Sequence, residues 1–187
     1  MYNTSDFRKG LKIEMDGEPF IITDFQHVKP GKGNQFTRTR IKSLVSGRVL
    51  EKTLKSGEKV DKPDLEEHDA QYLYVEGDHF TFMNTENYEQ FVIERDVLGD
   101  VVNFLKENTT CSVLFHNGRP LNIEMPTFME LKVTFAEPGV KGDTSSGATK
   151  PVTLETGYQL NVPLFINEGD TIKVDTRDGA YVEKVNR

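Results

Sequence analysis

Residues 113–125 read VLFHNGRPLNIEM. An Asn-Gly pair, Asn117-Gly118, stands between two runs in which apolar and polar residues alternate. That pair is the strongest short-range signal for a two-residue β-hairpin, because both turn positions need backbone angles that Asn and Gly tolerate. The same grammar recurs along the chain. LKIEM, DGEP and FIITDFQHV (11–28) read as strand, turn, strand, with Asp16-Gly17 at the turn. FTRTRIKSLV and RVLEKTL flank Ser46-Gly47, QYLYV and HFTFMN flank EGD, and TIKVDT and AYVEKV flank Arg177-Asp178-Gly179. Tyr, Phe, Val, Ile and Thr dominate these runs, as strands prefer.

One segment breaks the pattern. In RDVLGDVVNFLKEN, Val97, Leu98, Val101, Val102 and Leu105 recur at helical spacing. The spacing predicts one short helix near 96–107, with Asp96 as a candidate cap and Gly99 as a weak point. Many short strands at regular spacing otherwise predict an all-β chain of small barrels. Two polar breaks, VDKPDLEEHD (60–69) and EMPTFMEL (124–131), divide it into 1–63, 64–126 and 127–187. Domains of that size bury little core alone, so packing between neighbours is expected.

Composition narrows the functional classes. The chain has 187 residues, 36% hydrophobic and 28% charged, with a single cysteine. That is a globular composition. One cysteine excludes an internal disulfide and multi-cysteine metal sites. No apolar run approaches a membrane span, and MYNTSDFRKG lacks the apolar core of a signal peptide. The expectation is a cytoplasmic protein without a membrane partner. His27, His68, His79 and His116 lack metal-ligand spacing, and Cys111 in CSVLF reads as a small core residue. No metal, cofactor or catalytic residue is predicted.

The net charge of -7 is uneven. Residues 1–63 hold 13 basic and 8 acidic residues (+5), residues 64–126 hold 3 and 13 (-10), and residues 127–187 hold 7 and 9 (-2). The basic section contains HVKPGKGNQFTRTR (27–40), which has no acid. A strand leads in, Pro30 fixes one backbone angle, Gly31 and Gly33 remove bulk on both sides of Lys32, and a strand returns from about Phe36. Arg38, Arg40 and Lys42 then alternate onto one face. The reading is a basic wall under a hairpin whose tip is Lys32. It is suited to phosphate contact, which positions a partner without reading sequence. Gly33 stands where a Walker A loop needs Ser or Thr, so this is no nucleotide loop. A solvated turn is the plain alternative, since glycine and lysine are common in turns.

VKPGKG near the start, GVKGDTSSGATKPVTLETG in the last third and VPLFINEGDTIKVDTRDGAYVEKV at the end resemble the bacterial elongation factor P family. FRKGLKI, GEKV and QYLYVEGDHFTFMN fall in the same order, so the resemblance covers essentially the whole chain. It implies three β-barrel domains arranged in an L, the first KOW/SH3-like and the other two OB-like. It also implies a translation factor that binds the ribosome between the P and E sites and relieves stalling at consecutive prolines. Its partners would be the ribosome, its rRNA, the CCA end of the P-site peptidyl-tRNA and a lysine-modifying enzyme, with the protein itself a monomer.

On this resemblance Lys32 is the position of covalent modification. Lys29, Pro30, Gly31, Lys32, Gly33, Arg38 and Arg40 would face the P-site tRNA. Gly142, Asp143 and Thr144 would approach the small subunit near the E-site codon, and Tyr181 and Lys184 would belong to a ribosome-binding patch. Two positions depart from the family pattern. Lys184 stands where arginine is usual, and Asn34-Gln35 follow the second glycine where small residues are commoner. The chemistry would stay with the ribosome, so the protein would not be an enzyme. The competing expectation is a general single-stranded RNA-binding OB/KOW protein, which would stack bases on aromatics among basic residues.

Overall fold

The structure is a computed structural model that describes residues 1–139 and 147–186. Gly142, Asp143 and Thr144 therefore lie outside the described residues. The chain is built from strands. The first six are β1 (Tyr2–Asn3), β2 (Lys12–Met15), β3 (Glu18–Val28), β4 (Phe36–Ser43), β5 (Val49–Lys55) and β6 (Lys59–Val60). β2 to β5 form an antiparallel meander, and β1 pairs with β6, Tyr2 opposite Val60. Asp16 and Gly17 both adopt positive φ between β2 and β3, as the hairpin reading requires. Phe7, Leu11, Ile13, Phe20, Ile22, Ile41, Leu54 and Val60 fill the core of this part.

The next group is β7 (Leu65–Glu76), β8 (His79–Asn84), β9 (Gln90–Glu94), β10 (Thr110–His116) and β11 (Arg119–Glu124), in the sheet order β11-β10-β7-β8-β9. β7 begins at Leu65, so it runs through much of the polar stretch that reads as a break. Alternation along β8 buries Phe80 and Phe82, which meet Tyr72 of β7 at ring separations of 5.9 and 5.5 Å. The aromatic residues of QYLYV and HFTFMN thus serve mainly as core. Cys111 is buried as well, and burial pushes its thiol up to about 12. At the tip of β10 and β11, Asn117 and Gly118 have φ of 51° and 79°. These are the angles of the predicted tight turn.

The predicted helix is present but shorter, and it is broken in kind. Helix α1 spans Arg95–Leu98, and a 3₁₀ segment continues over Gly99–Phe104. Gly99, at φ 55° and ψ -130°, ends the α-turn. Glu94 rather than Asp96 occupies the N-cap, and it makes no side-chain cap.

The last group is β12 (Phe128–Ala136), β13 (Thr149–Leu154), β14 (Gln159–Pro163), β15 (Thr171–Asp175) and β16 (Tyr181–Val185), in the order β14-β13-β12-β15-β16. Its core includes Leu131, Val133, Val152, Leu154, Val162, Ile166, Ile172 and Val174. Phe104 from the 3₁₀ segment joins that core and meets Tyr158 edge-on at 5.2 Å.

Two compact units result. One holds residues 1–67 with the hairpin tip 114–122, and the other holds 68–113 with 123–187. In the first unit, the Asn117 amide donates to the Asp64 carbonyl at 3.0 Å, and His116 Nε2 lies 2.6 Å from Glu14 Oε1.

Candidate nucleic-acid interface

The basic loop stands on the longest hairpin of the first unit. β3 and β4 pair from Phe20↔Ser43 out to Val28↔Phe36, with an irregularity between Ile22 and Asp24. The chain between the last pair, residues 29–35, projects beyond the sheet. Lys29 and all of 31–35 are exposed, and Pro30 is half-buried. Gly33 takes φ 105°, an angle that disfavours any residue with a Cβ, whereas Gly31 stays at ordinary φ. Only the second glycine is therefore demanded by backbone geometry. The root of the loop is fastened. His27 Nδ1 and Thr37 Oγ1 are 2.9 Å apart, the His27 ring meets Phe25 edge-on, and the Ser56 amide donates to the Gln35 carbonyl. A groove of about 340 Å³ lies at this root, lined by Thr4, Ser5, His27, Lys29, Gln35 and Ser56 among others.

Strand β4 alternates as read. Thr37, Thr39, Ile41 and Ser43 are buried, and Arg38, Arg40 and Lys42 are exposed. The basic wall is partly neutralised by its neighbours, which no inspection of 27–42 alone reveals. Register places Asp24 and Glu51 on either side of Arg40, and the Arg40 guanidinium lies 3.2 Å from Glu51 Oε1. Among the described residues, no carboxylate comes within ion-pair distance of Lys29, Lys32, Arg38 or Lys42. The Lys32 tip thus carries an uncompensated charge on a tied stalk, and Arg40 is the member of the set whose charge is engaged.

The second set of sequence-predicted residues sits in the other unit. Tyr181 is half-buried and packs against the last core. Burial raises its phenol above the ordinary range, against the Lys184 backbone N–H, which lowers it. Lys184 Nζ lies 3.4 Å from Asp170 Oδ2. Asp170 also accepts the Asn167 amide at 2.8 Å, and that hydrogen bond is the main cause of its lowered pKa.

Arg95 and Lys106 are two of the three basic residues in the acidic section 64–126. Both are engaged within the protein. Arg95 donates to Asp78 at 2.8 Å and lies over the Phe80 ring, and Lys106 donates to the Glu130 carbonyl at 2.7 Å.

Sequence reasoning missed Lys150. It is the one charged residue buried among the described residues, and its ammonium donates to the Glu137 carbonyl at 2.6 Å. A buried ammonium needs such a partner. Its place in KPVTL, at an inward position of an alternating strand, was the available signal. Among the described residues there is no group of His, Cys, Asp and Glu that could hold a metal ion, and no helix long and apolar enough to cross a membrane.

Three family models match successive parts of the chain. Residues 3–60 match the family described as the elongation factor P (EF-P) KOW-like domain, 65–123 the elongation factor P OB domain, and 129–184 the elongation factor P C-terminal region. Elongation factor P of Natranaerobius thermophilus is 55% identical over 185 residues, covering 99% of this chain and 98% of the relative. That of Mycobacterium tuberculosis is 51% identical over 186 residues, covering all of both. Among solved structures, eukaryotic translation initiation factor 5A from Methanococcus jannaschii aligns with a TM-score of 0.55 at 22% identity. It covers 66% of this chain and 91% of that one, and it speaks to the fold alone. The all-β reading with KOW-like and OB parts holds. The chain belongs to the elongation factor P family, whose members are translation elongation factors and not enzymes.

Proposed function

We propose that this factor acts on the ribosome by placing the Lys32 loop against the CCA end of the P-site tRNA, so that peptide transfer onto or from proline proceeds. The observation that carries this reading is the uncompensated Lys32 charge at an exposed, acid-free tip on a fastened hairpin. Proline is a poor nucleophile, and holding the peptidyl-tRNA in reactive geometry lowers the entropic part of the barrier. The protein contributes position and charge, while bond making belongs to the ribosome. Lys29, Pro30, Gly31, Gly33, Arg38 and Arg40 form the rest of the tRNA-facing surface, with Arg38 supplying the freer guanidinium.

Lys32 is also the proposed site of modification. A lysine with small neighbours on both sides is open to a modifying enzyme, and lysine is a usual target of covalent change. Gly142, Asp143 and Thr144 would meet the small subunit near the E site. Tyr181 and Lys184 would serve as a second ribosomal contact, preset by the core and by Asp170. We read the protein as a cytoplasmic monomer of three domains bounded near 63 and 126. The general RNA-binding alternative gains no stacking platform from Tyr72, Phe80 and Phe82, which face inward.

The test is Lys32→Ala in reconstituted translation of a message with three consecutive proline codons. The expected result is loss of stimulation with an unchanged circular dichroism spectrum. Full stimulation by the variant would overturn the reading. Intact-mass measurement of the natively expressed protein, with fragmentation, checks for an adduct on Lys32.

A further inference from the structure

The first unit holds a second cluster of cations, away from the Lys32 tip. A cleft of about 320 Å³ is lined by Tyr2, Arg8, Leu11, Lys12, Lys62 and Pro63, among others. Lys12 pairs with Ile21, seven residues before Val28 on β3, which sets it roughly 20 Å along the sheet from the root of the loop. Fixed backbone brings the cations together. The Leu11 amide donates to the Arg8 carbonyl at 3.2 Å and Gly10 takes φ 88°, so residues 8–11 form a tight turn that needs glycine at its third position. The Gly10 amide donates to the Ile22 carbonyl and the Ile22 amide to the Leu11 carbonyl, which pins that turn to β3. Lys62 follows the bridge between Glu14 and Asp61, and it precedes Pro63, which is buried.

The charges in this cleft do not cancel. Its lining holds three cations and no acid. Asp61 and Asp64 stand beside Lys62 and Pro63 in the chain, but neither enters the lining. Among the described residues no carboxylate comes within ion-pair distance of Arg8, Lys12 or Lys62. Lys9, next to Arg8 but outside the lining, is by contrast paired with Asp24 at 3.8 Å. The rest of the lining is apolar or aromatic. Leu11 and Pro63 are buried, and half-buried Tyr2 packs against the core, where its pairing with Val60 holds it.

We propose that this cleft binds a nucleoside triphosphate, with its phosphates among Arg8, Lys12 and Lys62 and its base against Tyr2 and Pro63. The planar fork of arginine suits a phosphate, and the lysines add compact charge. A nucleic-acid strand carries one charge per nucleotide, whereas a triphosphate carries several on adjacent phosphorus atoms. Three cations on one cleft, with no acid in the lining, match the triphosphate. An aromatic ring accepts the face of any base, so the site takes a nucleotide without choosing its base. It is a binding site alone, in which no bond is made or broken. This assignment does not rest on the Lys32 loop, so the two stand or fall separately.

The experiment is a titration of the isotopically labelled full chain with ATP, followed by amide NMR. Tripolyphosphate and an oligoadenylate without a terminal phosphate are the comparison ligands. The expected result is saturable shifts at the amides of Arg8, Gly10, Lys12 and Lys62 with ATP. Arg8→Gln, Lys12→Gln and Lys62→Gln should each weaken ATP about threefold, and about thirtyfold together, in keeping with exposed ion pairs. Removing three charges elsewhere in the unit, by Arg48→Gln, Lys52→Gln and Lys55→Gln, should cost less than about twofold, because salt screens distant charges. Tyr2→Leu should weaken ATP and leave tripolyphosphate unchanged, a split that a general loss of structure does not produce. Equal losses from the two triple substitutions would overturn the proposal, since they mark diffuse charge. So would tripolyphosphate binding as tightly as ATP, which removes the nucleoside, or tighter binding of the oligoadenylate, which marks a strand site.

Discussion

Replacing Gly179 by alanine tests whether the last sheet is locked to Tyr158 as the structure requires. Gly179 adopts φ 76°, and a Cβ there would lie 2.2 Å from the Tyr158 hydroxyl and 3.1 Å from the ring carbon that bears it. That hydroxyl donates to the Gly179 carbonyl at 3.0 Å, and the same ring meets Phe104 edge-on. Alanine therefore acts in three ways. Left-handed strain costs about 1 kcal/mol. Displacing the phenol forfeits a hydrogen bond with a net value of about 1 kcal/mol. Tilting the ring weakens an aromatic pair by about 1 kcal/mol.

The total is about 3 kcal/mol. The assay is urea unfolding followed by far-UV circular dichroism. With a slope of about 2 kcal/mol/M, the midpoint should fall by about 1.5 M. The decisive comparison is the same substitution in a Tyr158→Ala background. There the clash partner is gone, and only the strain of about 1 kcal/mol should remain. An equal penalty in both backgrounds, or a penalty below about 0.5 kcal/mol in the native one, refutes the reasoning.

Two further outcomes follow from local geometry. Gly118→Val puts a β-branched side chain at φ 79° in the tight turn of β10 and β11, and should lower stability by about 1–2 kcal/mol in thermal unfolding. Asp170 and Asp175 have lowered pKa values, the first chiefly through the Asn167 amide and the second chiefly through the Arg177 side chain. A depressed carboxylate lends stability that is complete above its unfolded pKa of about 3.9 and is lost as pH falls through the folded value. Melting temperature should therefore drop on acidification below that range, and Asp170→Asn should flatten part of the drop.

Much of this fold is legible in the sequence because turns are local. Asp16-Gly17 and Asn117-Gly118 announce their hairpins through backbone angles that few other residues accept, and both pairs adopt them. Alternation over Phe36–Ser43 foretells which side chains are buried, since the strand period is two. The helix near 96–107 is harder to read. Its apolar spacing is satisfied equally by a single α-turn and a 3₁₀ run, and the position of Gly99 decides between them. What stays illegible is whatever depends on a partner distant in sequence. Glu51 opposite Arg40, Glu130 under Lys106 and Glu137 over Lys150 are separated from their partners by 11, 24 and 13 residues. No local pattern specifies such pairs.

That same distinction explains why Lys32 stands apart from the other basic residues. A cation on a strand has neighbours imposed by register. Arg40 acquires Asp24 and Glu51, whose carboxylates reduce the charge it offers a partner. A cation at a projecting tip has no register partner at all. Lys32 lies beyond the last pair, Val28↔Phe36, in a stretch from 25 to 50 without any acid, so neither the sheet nor the chain on either side supplies a counter-charge. The fold thus keeps one charge free by geometry while neutralising another only a strand's length away. An acid introduced at Asn34 would remove that freedom without touching the lysine, and would separate the role of the charge from the role of the side chain.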